Sequence, residues 1–375
     1  MWPWHLQSPA MEMTRRLRHV KPQLHADLSA LAALGAMTAA VLWNRFAFDS
    51  WLARLDISTF LLPWYIHLGE RLRSFDLPGW NPHLFSGTPF AGDPQSGWMY
   101  LPAMIGFVIS PDANGFKLMV ALQVVIGCVA MYGLARAFGM QPFASLVAAT
   151  VYLTGPFLHW NTYCCAIFGQ FGTWAPVMLL AVELALRSHR WRERWLWWLV
   201  GGFALSQIFA SWLGQGALFA LLLLSSFCIY RAFCRDHPGD RLRRRDGGHA
   251  LIERLTAASA AAFGAGGLWP RLEVNAISNL AGGNYSALGA AGANNPPWTP
   301  AQLVLQMLGG GYDWRESAIA GTVVVLVLVA PVVARGHFAV PYFVGLFSVS
   351  LVLTQETTPL HQVFYLIPRF RTLHE

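Results

Sequence analysis

Apolar residues in this chain fall into long unbroken blocks, not into the two-residue alternation of a half-buried strand. Blocks at 28–48, 116–136, 141–158, 169–187, 194–212, 215–233, 251–269, 317–334 and 337–354 reach or approach the roughly 20 residues that a helix needs to cross a bilayer. TVVVLVLVAPVVAR (322–335) shows the type, an apolar run closed by arginine. The alternation of an outer-membrane barrel is absent. The pattern predicts an all-α polytopic membrane protein of about nine spans over residues 1–375. One block is different. Trp98–Ser110 is apolar but about half the spanning length, which predicts a re-entrant or interfacial segment.

The arginines orient this bundle. If 98–110 does not cross, then Arg15, Arg16, Arg18 and Lys21, Arg136, Arg187 to Arg194, Arg231 to Arg245, and Arg335 all fall on one side. If it crosses, the N-terminal cluster lands opposite the rest. The positive-inside bias selects the first arrangement. The N-terminus is then cytoplasmic, and 49–115, 159–168, 213–214, 270–316 and the tail 355–375 lie outside. The run Leu28–Phe48 reads as a retained first helix, because no small-residue cleavage site follows it. The chain is thus expected to be a multi-pass membrane protein with a cytoplasmic N-terminus.

Composition agrees with this picture. Hydrophobic residues make up 55% and charged residues 12% of the chain, against about 25% charged in soluble domains, and the mean hydropathy is +0.41. The net charge of +7 resides in arginines at the ends of apolar blocks, where it sets topology; no nucleic-acid partner is predicted. The cysteines are Cys128, Cys164, Cys165, Cys228 and Cys234. They form no CxxC or Cys/His spacing, so neither a zinc site nor a disulfide framework is predicted. No Walker, HExxH or GxSxG motif occurs in a suitable context.

Chemistry collects in the first outer loop, DISTFLLPWYIHLGERLRSFDLPGWNPHLFSGTPFAGDPQSGWMYLP (56–102). It is too polar to span and too aromatic to be a disordered linker. Ile57, Phe60, Leu61, Trp64, Leu68 and Leu72 follow helical spacing and predict an amphipathic interfacial helix, bent or restarted at Pro63. Asp56 would cap it, as Asp is a preferred N-cap, or act as a general base near the membrane surface; the two roles are compatible. Asp93 followed by Pro94 fits an N-cap with Pro at the first helical position, opening a helix over 95–110. Alternatively, Asp93 and Gln95 contact a sugar or a phosphate-linked group. Trp80 and its aromatic neighbours belong to an interfacial belt or stack on sugar faces. Arg271, Arg315, Arg369 and Arg371 sit on outer segments, where an arginine fork suits a lipid-linked phosphate. Each also fits plain headgroup contact.

The order of one span, an outer loop opened by Asp56, the stretch WNPHLFSGTPFAGDPQSGWMYLP, and later GLARAFGMQPFASLVAATVYLTG resembles the bacterial YfhO-type membrane proteins of the glycosyltransferase-C superfamily. The resemblance implies a GT-C-like helical bundle with a large first outer loop. It implies an outward-facing enzyme that moves a sugar from a polyprenyl-phosphate carrier to a cell-surface glycan or protein acceptor. An Asp early in the first outer loop serves there as catalytic base or acceptor-binding residue; Asp56 matches that position, with Asp49 the nearer-to-membrane alternative. The acidic neighbour common in related enzymes is replaced by Ile57. Family members are longer, which implies a domain truncated at its C-terminus. No cofactor is implied beyond the lipid-linked substrate, and a divalent metal is left open. The competing readings are a transporter or lipid flippase, and a non-catalytic envelope-assembly protein. Against transport, the predicted span interiors hold little charge apart from Glu183, whereas transporters place ionisable groups at midplane.

Overall fold

The structure is a computed structural model, and it describes residues 9–48, 52–53, 56–84, 86–155, 157, 161, 166–188, 190–211, 213, 215–233, 248–277, 328–334 and 336–353. Asp49, Arg315, Arg369 and Arg371, most of the expected span 317–334, and Cys164, Cys165 and Cys234 lie outside the described residues.

The apolar blocks are helices, as the pattern requires of backbone that must satisfy its own hydrogen bonds away from water. They are α1 (Pro9–Ala47), α2 (Leu62–Arg73), α3 (Leu101–Ile109), α4 (Ala113–Ala137), α5 (Pro142–Thr154), α6 (Ala166–Arg187), α7 (Trp191–Ser211), α8 (Gln215–Phe233), α9 (Gly248–Ile277) and α10 (Ala339–Leu353). A two-residue hairpin, β1 (Trp80–Asn81) and β2 (Thr88–Pro89), pairs antiparallel between α2 and α3. Four helical stretches are long and apolar enough to cross a membrane: Gln23–Trp43, Ala113–Ala137, Gly169–Arg187 and Gly216–Phe233. This is consistent with a membrane protein. Helices also form at the expected spans in α5, α7, α9 and α10. Of these, α5 and α10 are shorter apolar helices, too brief to count among the four.

The bundle is built on α4, α6, α7 and α9, which pack in sequence, with α5 and α1 on the far side of α4. Contacts fix the directions. Asp27 of α1 pairs with Arg136 of α4 at 2.7 Å, while the carbonyl of Phe46 accepts from Lys117 Nζ at 3.2 Å; α1 and α4 are therefore antiparallel. The basic helix ends converge at the Asp27 end. Glu183, fully buried, is held by Arg187 at 2.6 Å and Arg231 at 2.9 Å. Arg231 lies 4.7 Å over the Phe338 ring, and His337 Nε2 meets the Phe138 carbonyl at 2.9 Å.

The opposite end carries α2, the hairpin and α3. Ile57, Leu61, Trp64 and Leu68 are buried as their spacing predicts, and α2 packs on α3 and α4. Pro63 restarts the helix: Ile57–Leu61 is a π-helical turn, and the α-helix begins at Leu62 with Pro63 in its first turn, where the missing N–H costs nothing. At α3 and α4 the backbones touch. A Cβ on Gly115 would stand 1.9 Å from the Ser110 carbonyl oxygen, and one on Gly106 would stand 2.5 Å from the Gly115 carbonyl oxygen. Only glycine permits that approach.

Three local expectations are corrected. Asp56 is no cap: its own backbone is already helical, and its exposed side chain makes no capping bond. No helix starts at Asp93. Residues 93–99 turn, Gly97 and Met99 have positive φ of 74° and 65°, and α3 begins only at Leu101, with Pro102 in its first turn. Finally, 270–277, expected as outer loop, continues α9 through Pro270 to Ile277. The carboxylate that does cap a helix in this region is Asp112, which accepts from the N–H groups of Asn114 and Gly115 and opens α4.

Candidate functional site

The chain segment 92–101 is threaded between helix ends, and each side that faces a helix is fixed. Gly92 lies flat on α9, where a Cβ would come within 2.2 Å of Val274 and 2.9 Å of the Pro270 carbonyl. Asp93 Oδ1 accepts from the Gln95 N–H at 2.7 Å, and its carbonyl accepts from Ser96 Oγ at 3.0 Å. This is an Asx turn, a local side-chain-to-backbone closure that competes with helix formation. That competition explains why Asp93-Pro94 makes a turn here instead of starting a helix.

Arg271, 2% exposed, closes the segment from the α9 side. Its Nε donates to the Asp93 carbonyl at 3.3 Å, and Nη2 donates to the carbonyls of Trp98 and Ala210, both at 2.8 Å. One guanidinium thus ties the loop, the end of α7 and α9 together, which the planar fork of arginine suits. From α7, Gln207 brackets the start of α3. Its Oε1 accepts from the Leu101 N–H at 2.7 Å and its Nε2 donates to the Met99 carbonyl at 3.1 Å. The N-cap function expected of Asp93 is therefore supplied by a side chain from another helix.

Below the loop two tyrosines point into the bundle. Tyr65 Oη accepts from Gln170 Nε2 at 3.1 Å, and Tyr100 Oη accepts from Gln123 Nε2 at 2.9 Å. All four are buried. Burial pushes the Tyr65 hydroxyl up to about 12 and that of Tyr100 higher still, so both stay neutral at physiological pH.

The electrostatic centre is Asp93. Withdrawal from water raises its carboxyl from an ordinary 3.8 to about 6, against the pull of the Gln95 N–H and the Arg271 cation in the other direction. A carboxylate poised near neutrality, fixed in a turn and backed by a buried cation has the properties required of a general base.

Among the residues expected to form a site, the structure therefore brings together Asp93, Gln95 and Arg271. Trp80 stands apart on the hairpin, half exposed, its ring over Gly87; a Cβ there, at φ +116°, would meet the indole at 2.5 Å. The Trp80 carbonyl meets His67 Nε2 at 3.3 Å, and burial lowers the pKa of His67. Asp56 is exposed, and among the described residues its carboxylate has no hydrogen-bond or ion-pair partner. Among the described residues no group of three or more His, Cys, Asp or Glu could hold a metal ion. Sequence reasoning missed Gln123, Gln170 and Gln207. The signal was available: each is an amide inside an apolar block, a placement that is costly unless it is used.

No protein-family model matches the chain, and no curated protein or solved structure is significantly similar to it.

Proposed function

We propose that this protein is a membrane glycosyltransferase that moves a sugar from a polyprenyl-phosphate carrier to a cell-surface glycan or protein acceptor on the outer face of the bacterial cytoplasmic membrane. The observation that carries the reading is the partly buried carboxylate of Asp93, which accepts from the Gln95 N–H at 2.7 Å in a turn that the buried Arg271 ties to α9; burial raises its carboxyl to about 6. It is fixed at one end of an apolar bundle, and the basic helix ends gather at the other. In this reading Asp93, not Asp56, takes the proton from the acceptor hydroxyl. The acceptor oxygen attacks the anomeric carbon, the bond from that carbon to the phosphate oxygen breaks, and polyprenyl phosphate departs with inversion. Gln95 lies beside the carboxylate as a polar contact for sugar hydroxyls. Arg271 acts as a positioning residue, because its donors are engaged by three carbonyls. Fixed geometry of this kind supports catalysis by avoiding reorganisation during the reaction.

The test is transfer from a radiolabelled polyprenyl-phosphate sugar in membranes that contain the full-length protein. Asp93→Asn is expected to lower the rate roughly 10²–10⁴-fold, the usual worth of a general base, while Asp56→Asn stays near normal. The reverse pattern would return the role to Asp56. Failure of every polyprenyl-phosphate donor to support transfer would remove the glycosyltransferase reading itself.

A further inference from the structure

The first two turns of α7 carry a surface that the candidate site does not use. Arg190, just before the helix, has a side chain 84% exposed, and its approach to Glu193 is only 3.9 Å; Arg192 is exposed as well. Trp191 and Trp195, 52% and 41% exposed, form a ring cluster with Trp198 at centroid separations of 5.0 to 5.7 Å, with edge-to-face geometry. Leu196 and Leu199, 57% and 40% exposed, continue the apolar surface. A water-facing helix seldom shows two indoles and two leucines in one patch.

The order of these groups along the helix is informative. Guanidinium groups come first, at 190 and 192, followed by indoles at 191 and 195 and then bare aliphatic side chains at 196 and 199. At 1.5 Å per residue the series extends about 14 Å. A phospholipid presents the same order over a similar depth: phosphate, glycerol ester, acyl chain. Trp198 adds an independent sign. It is 2% exposed, and among the described residues its buried indole N–H has no hydrogen-bond partner. A buried indole donor normally finds an acceptor. The charge decides the headgroup: Arg190 and Arg192 against Glu193 leave a cationic rim, which favours an anionic lipid over a zwitterionic one.

We infer that the N-terminal turns of α7 form a binding site for an anionic phospholipid of the surrounding membrane, its phosphate on Arg190 and Arg192 and its ester region against the Trp191–Trp195–Trp198 cluster. This inference is independent of the catalytic reading. It is tested by native mass spectrometry of the full-length protein in detergent, with phosphatidylglycerol or phosphatidylethanolamine added at equal concentration. Wild-type protein is expected to retain phosphatidylglycerol several-fold better. The double variant Arg190→Gln/Arg192→Gln is expected to lose that preference while keeping the wild-type gel-filtration profile and Asp93-dependent behaviour. Equal retention of the two lipids by wild type would overturn the inference. So would undiminished phosphatidylglycerol retention by the double variant, which would place the lipid elsewhere on the protein. If the double variant aggregates, Trp195→Leu replaces it: weaker retention of phosphatidylglycerol supports the site, and unchanged retention refutes it.

Discussion

The indole N–H of Trp98 donates to the carbonyl of Gly266 at 2.9 Å, and Gly266 is the residue four before Pro270 inside α9. A proline inside a helix has no N–H to give to that carbonyl, so the candidate loop supplies the donor that the helix lacks. The device recurs in α6. Pro176 leaves the carbonyl of Gly172 without its helical partner, and the Tyr152 hydroxyl donates to it at 2.5 Å. Both helices therefore carry a proline whose freed acceptor is used to attach a neighbouring element.

This relationship sets a double-mutant cycle. Trp98→Phe is expected to destabilise the protein by about 1 kcal/mol through the hydrogen bond, beyond any loss of packing. In a Pro270→Ala background residue 270 again has an N–H for the Gly266 carbonyl, so the hydrogen-bond part of the cost should vanish. Thermal unfolding of the four proteins in detergent measures the coupling. Strictly additive effects would show that Trp98 and Pro270 are unrelated.

Glu183 sets a second expectation. Its carboxylate is fully buried between Arg187 and Arg231, at 2.6 and 2.9 Å, and joins α6 to α8. Taking away one partner of a buried ion pair typically costs about 3–5 kcal/mol, because the remaining charge stays desolvated. Glu183→Gln should therefore lower the melting temperature far more than Glu193→Gln, whose carboxylate is half exposed. Equal melting temperatures for the two variants would mean that the buried pair contributes nothing special.

Topology is the third. α3 has nine residues, about 13 Å of helix, against a hydrocarbon thickness of about 30 Å. It runs antiparallel to α4, from Tyr100 beside Gln123 up to Ser110 beside Gly115. Gln123 lies six residues, about 9 Å, inside the Lys117–Phe46 contact that ends α1. The expected outcome is a segment 93–109 that dips in and returns to the side it came from. Single cysteines at Ser86 and Ser188 in a cysteine-free background should then label differently in intact cells: Ser86→Cys from outside and Ser188→Cys only after permeabilisation. Outside labelling of position 188 alone would invert the bundle.

Much of this architecture could be read in the sequence because spanning helices impose long apolar blocks, and the block boundaries at 116–136, 169–187 and 215–233 lie within a few residues of α4, α6 and α8. The apolar face of Ile57, Leu61, Trp64 and Leu68 was equally legible, since helical spacing dictates which side chains can be buried together. What the sequence hid is the partner of each polar group. Asp93-Pro94 is locally a good helix start, yet the carboxylate closes its own turn and Gln207, 106 residues from Leu101, supplies the cap. Pro270 is locally a helix end, yet Trp98 and Arg271 bonds carry α9 past it. Such outcomes depend on long-range packing, which local propensity does not contain. Asp56 illustrates the converse. Its position just before an apolar face is right for a cap, yet its backbone is already helical and its side chain makes no capping bond.

The last prediction concerns pH and Asp93. The fold raises its carboxyl from 3.8 to about 6 by withdrawing it from water, so folding favours the protonated acid. Below about pH 4 the group is protonated in folded and unfolded chains alike, and its contribution is fully present. As pH climbs from 4 to 6 the unfolded chain ionises first, and stability is lost over that window; above it the deprotonated carboxylate is a standing cost. With partial access to water, that cost is on the order of 1–2 kcal/mol. Asp93→Asn, neutral at every pH and able to keep the turn to Gln95, should therefore match wild type at about pH 3.5, below the unfolded pKa, and unfold a few degrees higher at pH 7.5. Transfer activity should do the opposite, rising in wild type through about pH 6 as the base ionises and remaining low in the variant at every pH. A stability gain without an activity loss would leave Asp93 a strained turn residue only. An activity loss with no pH-dependent gain in stability would mean that the carboxylate is better solvated than its packing on α9 implies.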